Sequence, residues 1–154
     1  MSAYYFDSSA LVKYYAQETG TNWVRGLIDI QPANEIFTAL VTGAEIVAAL
    51  KRRERMNLIT VTDAAAALAV FKNQFRIRFK ALRTSDAVVD RAMELAENHK
   101  LRGYDAIQLA SALLIEERMT IQGVGPLTLI SADVELNQAA QAKGMLTDDP
   151  NQHP

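Results

Sequence analysis

Residues 3–15 read AYYFDSSALVKYY. Four apolar, largely aromatic residues, Ala3 to Phe6, stop abruptly at Asp7. Ser8 and Ser9 follow, and then a helical stretch from about Ala10 to Gln17. A short apolar run bounded in this way reads as a buried strand, and Ser8 or Ser9 is suited to cap the helix. A strand that feeds directly into a helix is the repeating unit of a parallel α/β sheet. Open sheets of that kind bind ligands beyond the carboxyl ends of their strands. A carboxylate at that junction is therefore a cap candidate and a site candidate at once.

The rest of the chain repeats the alternation. Gly20 breaks the first helix, and Thr21 is placed to cap a second one running to about Ile30; Pro32 and Asn34 mark a turn. EIFTAL (residues 35–40) is a strand candidate, and VTGAEIVAALKRRERM is helical with a basic end that suits a helix C-terminus. A long amphipathic helix, DAAAALAVFKNQF, follows Thr60 and Thr62. FKALRTS (79–85) reads as a short strand and turn, and Ser85 caps DAVVDRAMELAENHK, whose Val88, Val89, Ala92, Leu95 and Ala96 form an apolar stripe. Gly103 precedes the helix YDAIQLASALLIEERM. LTLIS (127–131) is the most strand-like run of all, and DVELNQAAQAKG is a last helix stopped by Gly144. No hairpin signal, repeat or linker interrupts this pattern. It predicts one α/β domain with a mostly parallel sheet and helices on both faces.

With 154 residues, 49% of them hydrophobic, the chain can bury a sizeable core. It has no cysteine, which removes disulfides, thiolate nucleophiles and cysteine-based zinc sites, and suits a reducing, cytoplasmic setting. No apolar run reaches the roughly 18 residues of a membrane helix, and no signal peptide is evident. The formal net charge of −2 argues against a general coat for nucleic acid. Local basic groups remain available to hold phosphates: KRRER (51–55) and the spaced set Arg76, Arg78, Lys80 and Arg83. Solvated helix faces and ends account for them equally well.

Four acids stand out. Asp7 and Asp133 each follow a strand and start a helix, which capping alone would explain. Glu45 has Val41, Ala48 and Ala49 as same-face helical neighbours, so that face is expected to pack inward. A Glu there needs a partner, a metal or a cleft edge; Arg52 is the obvious ion-pair candidate. Asp105 sits in the first turn of a helix that is otherwise small and apolar. Four such carboxylates brought together would repel one another and call for protonation or a cation. A donor set of hard oxygens, with His99 and His153 outside it, selects Mg²⁺ or Mn²⁺ over zinc. A carboxylate site of that kind typically works on phosphates through activated water.

The same residues carry a family resemblance. YYFDSSALVKYYAQE with Asp7, AEIVAAL with Glu45, LRGYDAIQLASAL with Asp105 and LISADVELNQAAQAKG with Asp133 are collinear and span nearly the whole chain. In this order they resemble the PIN-domain family, and within it the VapC-type toxin ribonucleases of type II toxin–antitoxin pairs. The resemblance implies a three-layer α/β/α sandwich over residues 1–146, and residues 147–154 read as a frayed tail. It implies a Mg²⁺- or Mn²⁺-dependent endoribonuclease whose catalytic acids are Asp7, Glu45, Asp105 and Asp133. Asp7 and Asp105 are the candidates for direct metal contact; Glu45 and Asp133 would act through water or a second ion. Ser8, Ser9 and Ser131 fit supporting hydroxyls. Arg102 and Lys13 are candidate phosphate contacts. A cognate antitoxin, an RNA substrate and a homodimer, with the AAAALAVF helix as one candidate interface, complete the expectation.

Two other readings use the same pattern. A receiver-like phosphoacceptor domain also places acids at strand ends, but it calls for adjacent acids after the first strand, where this chain has serines. A PIN scaffold that only grips RNA or a partner would have no need of all four acids.

Overall fold

A computed structural model describes residues 2–30 and 33–154, so Pro32 of the expected turn lies outside the described residues. The strands are β1 (Ala3–Phe6), β2 (Glu35–Ala39), β3 (Lys80–Leu82), β4 (Leu127–Ile130) and β5 (Leu146–Asp148). They form one sheet in the order β3-β2-β1-β4-β5, with every pairing parallel. The helices are α1 (Ser8–Tyr15), α2 (Thr21–Arg25), α3 (Thr42–Arg55), α4 (Val61–Arg78), α5 (Asp86–Asn98), α6 (Gly103–Ile121) and α7 (Val134–Ala142). A wide helical turn, Gly26–Ile30, extends α2, and a tight one, Pro150–Gln152, ends the chain.

The layering follows from strand alternation, which sends successive side chains to opposite faces. Tyr5 of β1 and Leu127 and Leu129 of β4 join a core with Val88, Ala92 and Leu95 of α5, Leu109 and Leu113 of α6 and Leu136 of α7. Phe6 and Ile130 point the other way, into a core with Leu11 and Val12 of α1, Ile46 and Leu50 of α3 and Phe71 and Phe75 of α4. Helices thus cover both faces, as the alternation predicts. No helix among the described residues is long and apolar enough to cross a membrane.

Three local expectations need correction. The cap of α1 is Asp7, whose side chain accepts from the Ala10 N–H, because the strand ends one residue before the serines. Gly20, not Thr21, precedes α2; it has a left-handed φ of 86°, and a Cβ there would lie 2.2 Å from the Pro150 carbonyl oxygen. The segment after residue 146 is not frayed. Leu146–Asp148 adds the edge strand β5, Pro150 is buried, and the His153 ring stacks on Trp23 with centroids 4.1 Å apart.

Candidate active site

The parallel register brings β1 and β4 to the same edge. The Asp7 N–H donates to the Ile130 carbonyl, continuing the β1–β4 pairing past the end of the strand. Asp7 is only 2% exposed. The Ser9 hydroxyl lies 2.8 and 2.9 Å from its two oxygens, the Ser131 hydroxyl donates to Oδ2 at 2.9 Å, and the Ala10 N–H reaches Oδ1 at 3.0 Å. The same hydroxyls tie down the loop after β4, because Ala132 N–H donates to Ser9 and Asp133 N–H to Ser131. Burial pushes the Asp7 carboxyl up to about 7; Ser9, Ala10 and Ser131 pull it down, and the charge of Glu45 pushes it further up.

Glu45 lies in the first turn of α3. The buried stripe of that helix is Thr42, Ile46 and Leu50, so Ala48 faces solvent and Glu45 stands at the edge of the buried face, not within it. Arg52 is not its partner. Its oxygens accept from Ser8 at 2.7 Å and from the buried amide of Gln108 at 2.8 Å.

Asp105 is in the first turn of α6 and half-buried. Its carboxyl is raised by burial, by Asp133 and by Glu45, against a smaller lowering by exposed Arg102. Asp133 caps α7, accepting from the Glu135 and Leu136 N–H groups at 2.9 and 3.1 Å. The capping explanation is thus true of both strand-end acids. It leaves unexplained why Asp7 is buried and why Asp105 is raised by both Asp133 and Glu45.

No ion pair among the described residues involves any of the four. Nor do any three His, Asp or Glu side chains among them come close enough to hold a metal ion by themselves. The donor types on offer, carboxylate and hydroxyl oxygens, are those of a hard dication rather than of zinc.

The basic candidates separate. Arg102 flanks the acids. Lys13 does not serve the cleft: it is 5% exposed, donates to Thr19 O and Asn151 Oδ1, and lies 3.7 Å from Glu18. KRRER ends α3, about 9–15 Å along the axis from Glu45, with Lys51 paired to Glu54 and Arg53 to Glu18. Arg78 and Lys80 are occupied by Asp29 and Glu35. Sequence reasoning missed Gln108 and Thr42; the only signal was an amide set in the small apolar run AIQLASAL.

Comparison with known proteins agrees with this arrangement. The PIN-domain family model matches residues 4–141. Ribonuclease VapC45 of Mycobacterium tuberculosis strain CDC 1551 is 32% identical over 115 residues, covering 75% of this chain and 78% of the relative. Ribonuclease VapC49 of strain H37Rv matches to the same extent. Among solved structures, M. tuberculosis VapC20, described as a sarcin–ricin loop cleaving toxin, superimposes with a TM-score of 0.63 at 16% identity over 98% of this chain and 99% of that one. VapBC2 of Rickettsia felis, bound to a DNA fragment from its promoter, gives 0.59 at 10% identity, covering 96% and 98%. A toxin–antitoxin complex from Klebsiella pneumoniae gives 0.54 at 21%, covering 95% and 96%. With a family model spanning most of its length and VapC ribonucleases as relatives, this chain belongs to the PIN-domain family, among its VapC-type toxin ribonucleases.

Proposed function

We propose that this protein is a Mg²⁺- or Mn²⁺-dependent endoribonuclease, the toxin of a type II toxin–antitoxin pair, cutting RNA phosphodiesters at Asp7, Glu45, Asp105 and Asp133. The observation that carries the reading is Asp7 itself, a carboxylate buried at the carboxyl edge of the sheet with no ion pair, with Glu45 acting on it and Asp133 and Glu45 acting on Asp105. VapC ribonucleases as relatives supply the substrate class.

Asp7 and Asp105 would hold the ion directly, and Glu45 and Asp133 through water or a second ion. When bound, the ion supplies Lewis acidity that activates water and offsets charge on the phosphorane-like transition state. The chain's own contribution is orientation. Ser9, Ser131 and the Ala10 N–H fix the Asp7 carboxylate, and Ser8 fixes Glu45. Arg102, exposed beside Asp105, is placed to hold a flanking phosphate.

A net charge of −2 disfavours broad duplex binding, whereas unpaired loops can splay their bases into a narrow site. Structured RNA with exposed loops is therefore the expected target, ahead of messenger RNA. The similarity to a toxin that cleaves the sarcin–ricin loop points the same way. Similar folds in toxin–antitoxin complexes support a cognate antitoxin. An arginine from such a partner would suit the unpaired carboxylates. Val70 and Ile77, seven residues apart on one side of α4, are exposed, which would suit a homodimer.

The test is to incubate purified protein with total RNA in Mg²⁺ or EDTA and to map new ends by sequencing. Few, discrete cuts in loops are expected, dependent on metal and lost in Asp7→Asn and Asp105→Asn. That no three acids among the described residues gather tightly enough to hold an ion favours one second reading, a scaffold that binds RNA without cutting it. Metal-independent RNA binding with no new ends would establish that reading instead.

A further inference from the structure

Gln108 is buried in the middle of a polar chain that ends at Glu45. It is 1% exposed. Its Nε2 donates to Glu45 Oε1 at 2.8 Å and to Thr42 Oγ1 at 2.9 Å, and its Oε1 accepts from the Tyr5 hydroxyl at 2.7 Å. Thr42 is anchored in turn by Thr38, whose hydroxyl also reaches the Phe6 carbonyl at 2.8 Å. Both donors of the amide are used, and its acceptor is engaged.

This arrangement has one orientation. A phenol is protonated at neutral pH, and the Tyr5 hydroxyl donates to the amide oxygen. An inverted amide would set Oε1 against the Glu45 carboxylate, acceptor against acceptor, and would leave the Thr42 hydroxyl without the amide as donor. Tyr5 lies on β1 two residues before Asp7, on the same face of the strand. Gln108 lies three residues after Asp105, on the same side of α6. The strand and the helix that carry the two acids proposed to touch the ion therefore also build the support beneath the third.

We propose that Gln108, locked by Tyr5, is a positioning residue for Glu45, holding its carboxylate in the orientation that a hydrated divalent cation requires. With Ser8 on Oε2 and Gln108 on Oε1, each oxygen gives one lone pair to the protein and keeps another for the cleft. Partners of this kind behind a ligating carboxylate commonly change metal affinity by about 10- to 100-fold. The inference rests on the metal-dependent reading of the site.

The test is Mn²⁺ titration by calorimetry, which needs no turnover. Gln108→Leu should raise the Mn²⁺ Kd about tenfold or more. Tyr5→Phe, which keeps the ring and removes the lock, should raise it by a smaller factor, and it carries the test if Gln108→Leu does not fold. In a Glu45→Gln background neither change should weaken binding further, because the group being positioned is already altered. A general packing defect would act equally in both backgrounds. Wild-type Kd in Gln108→Leu, or in Tyr5→Phe where that variant carries the test, or an equal loss with and without Glu45, overturns the inference. A wild-type protein that binds no Mn²⁺ overturns the metal reading of the whole site instead, and the two failures are told apart by that single control.

Discussion

Asp7 and Lys13 are both ionisable residues buried six positions apart, the cap and the interior of the same short helix. Lys13 is provided for: it has Glu18, a backbone carbonyl and the Asn151 amide around its ammonium. Asp7 is surrounded only by hydroxyls and an N–H, with another carboxylate nearby. A buried charge kept for stability is normally paired, because desolvating it alone is expensive. Asp7 departs from that rule, and departures of this kind concentrate at functional sites. The difference sets Lys13 apart as a structural charge and Asp7 as the candidate functional one without reference to any relative.

Substitution at the two positions should therefore have opposite signatures. Asp7→Asn should cut RNA cleavage by about 100- to 1,000-fold, the scale of losing one charge-stabilising group, while the metal-free fold keeps or gains stability. Lys13→Ala should cost about 2 kcal/mol of stability by leaving its acceptors unsatisfied, with cleavage per folded molecule nearly unchanged. Activity assays paired with urea melts check both, and matching signatures would erase the distinction.

The pH dependence of the metal-free protein sharpens it. Burial raises the Asp7 carboxyl from 3.8 to about 7, so the folded state binds its proton more tightly than the unfolded state does. The resulting stability is complete below about pH 4, drains away as pH rises towards 7, and is bounded by about 4 kcal/mol. Melts in EDTA at pH 5 and pH 7.5 should show the wild type losing stability with rising pH and Asp7→Asn losing much less. A smaller effect is expected from the chain end. Deleting residues 150–154 removes Asn151 from Lys13 and His153 from Trp23, and should cost about 1–2 kcal/mol. A melt unchanged by the deletion would mean that Lys13 does not depend on the tail.

The four acids were legible because each falls where a strand stops or a helix starts, positions that sequence periodicity locates well. The alternation of elements likewise made the parallel sheet legible, though not its order. Lys13 misled because α1 is only two turns long, and the residues that close over it, Glu18 and Asn151, lie beyond the helix or at the chain's far end. The strand Leu146–Asp148 was invisible for a related reason: Leu-Thr-Asp beside a second acid and a proline has no strand pattern of its own, and only β4 defines it. Gln108 needed three dimensions, since its partners Tyr5, Thr42 and Glu45 come from two other elements. Side chains whose role is set by local position could be read; those whose role is set by a distant partner could not.

If the partner that Asp7 lacks is a divalent cation, supplying it should stabilise the fold through that residue. The direct measurement is the Tm of wild type and Asp7→Asn at neutral pH across a Mn²⁺ series. A ligand that binds only the folded state contributes about 2.7 kcal/mol at a hundredfold excess over Kd, which for a chain of this size is roughly 5–10 °C. The wild-type Tm should climb by that amount and return to baseline in EDTA, while Asp7→Asn stays nearly flat. A wild-type Tm indifferent to Mn²⁺, or an equal climb in Asp7→Asn, would contradict the account.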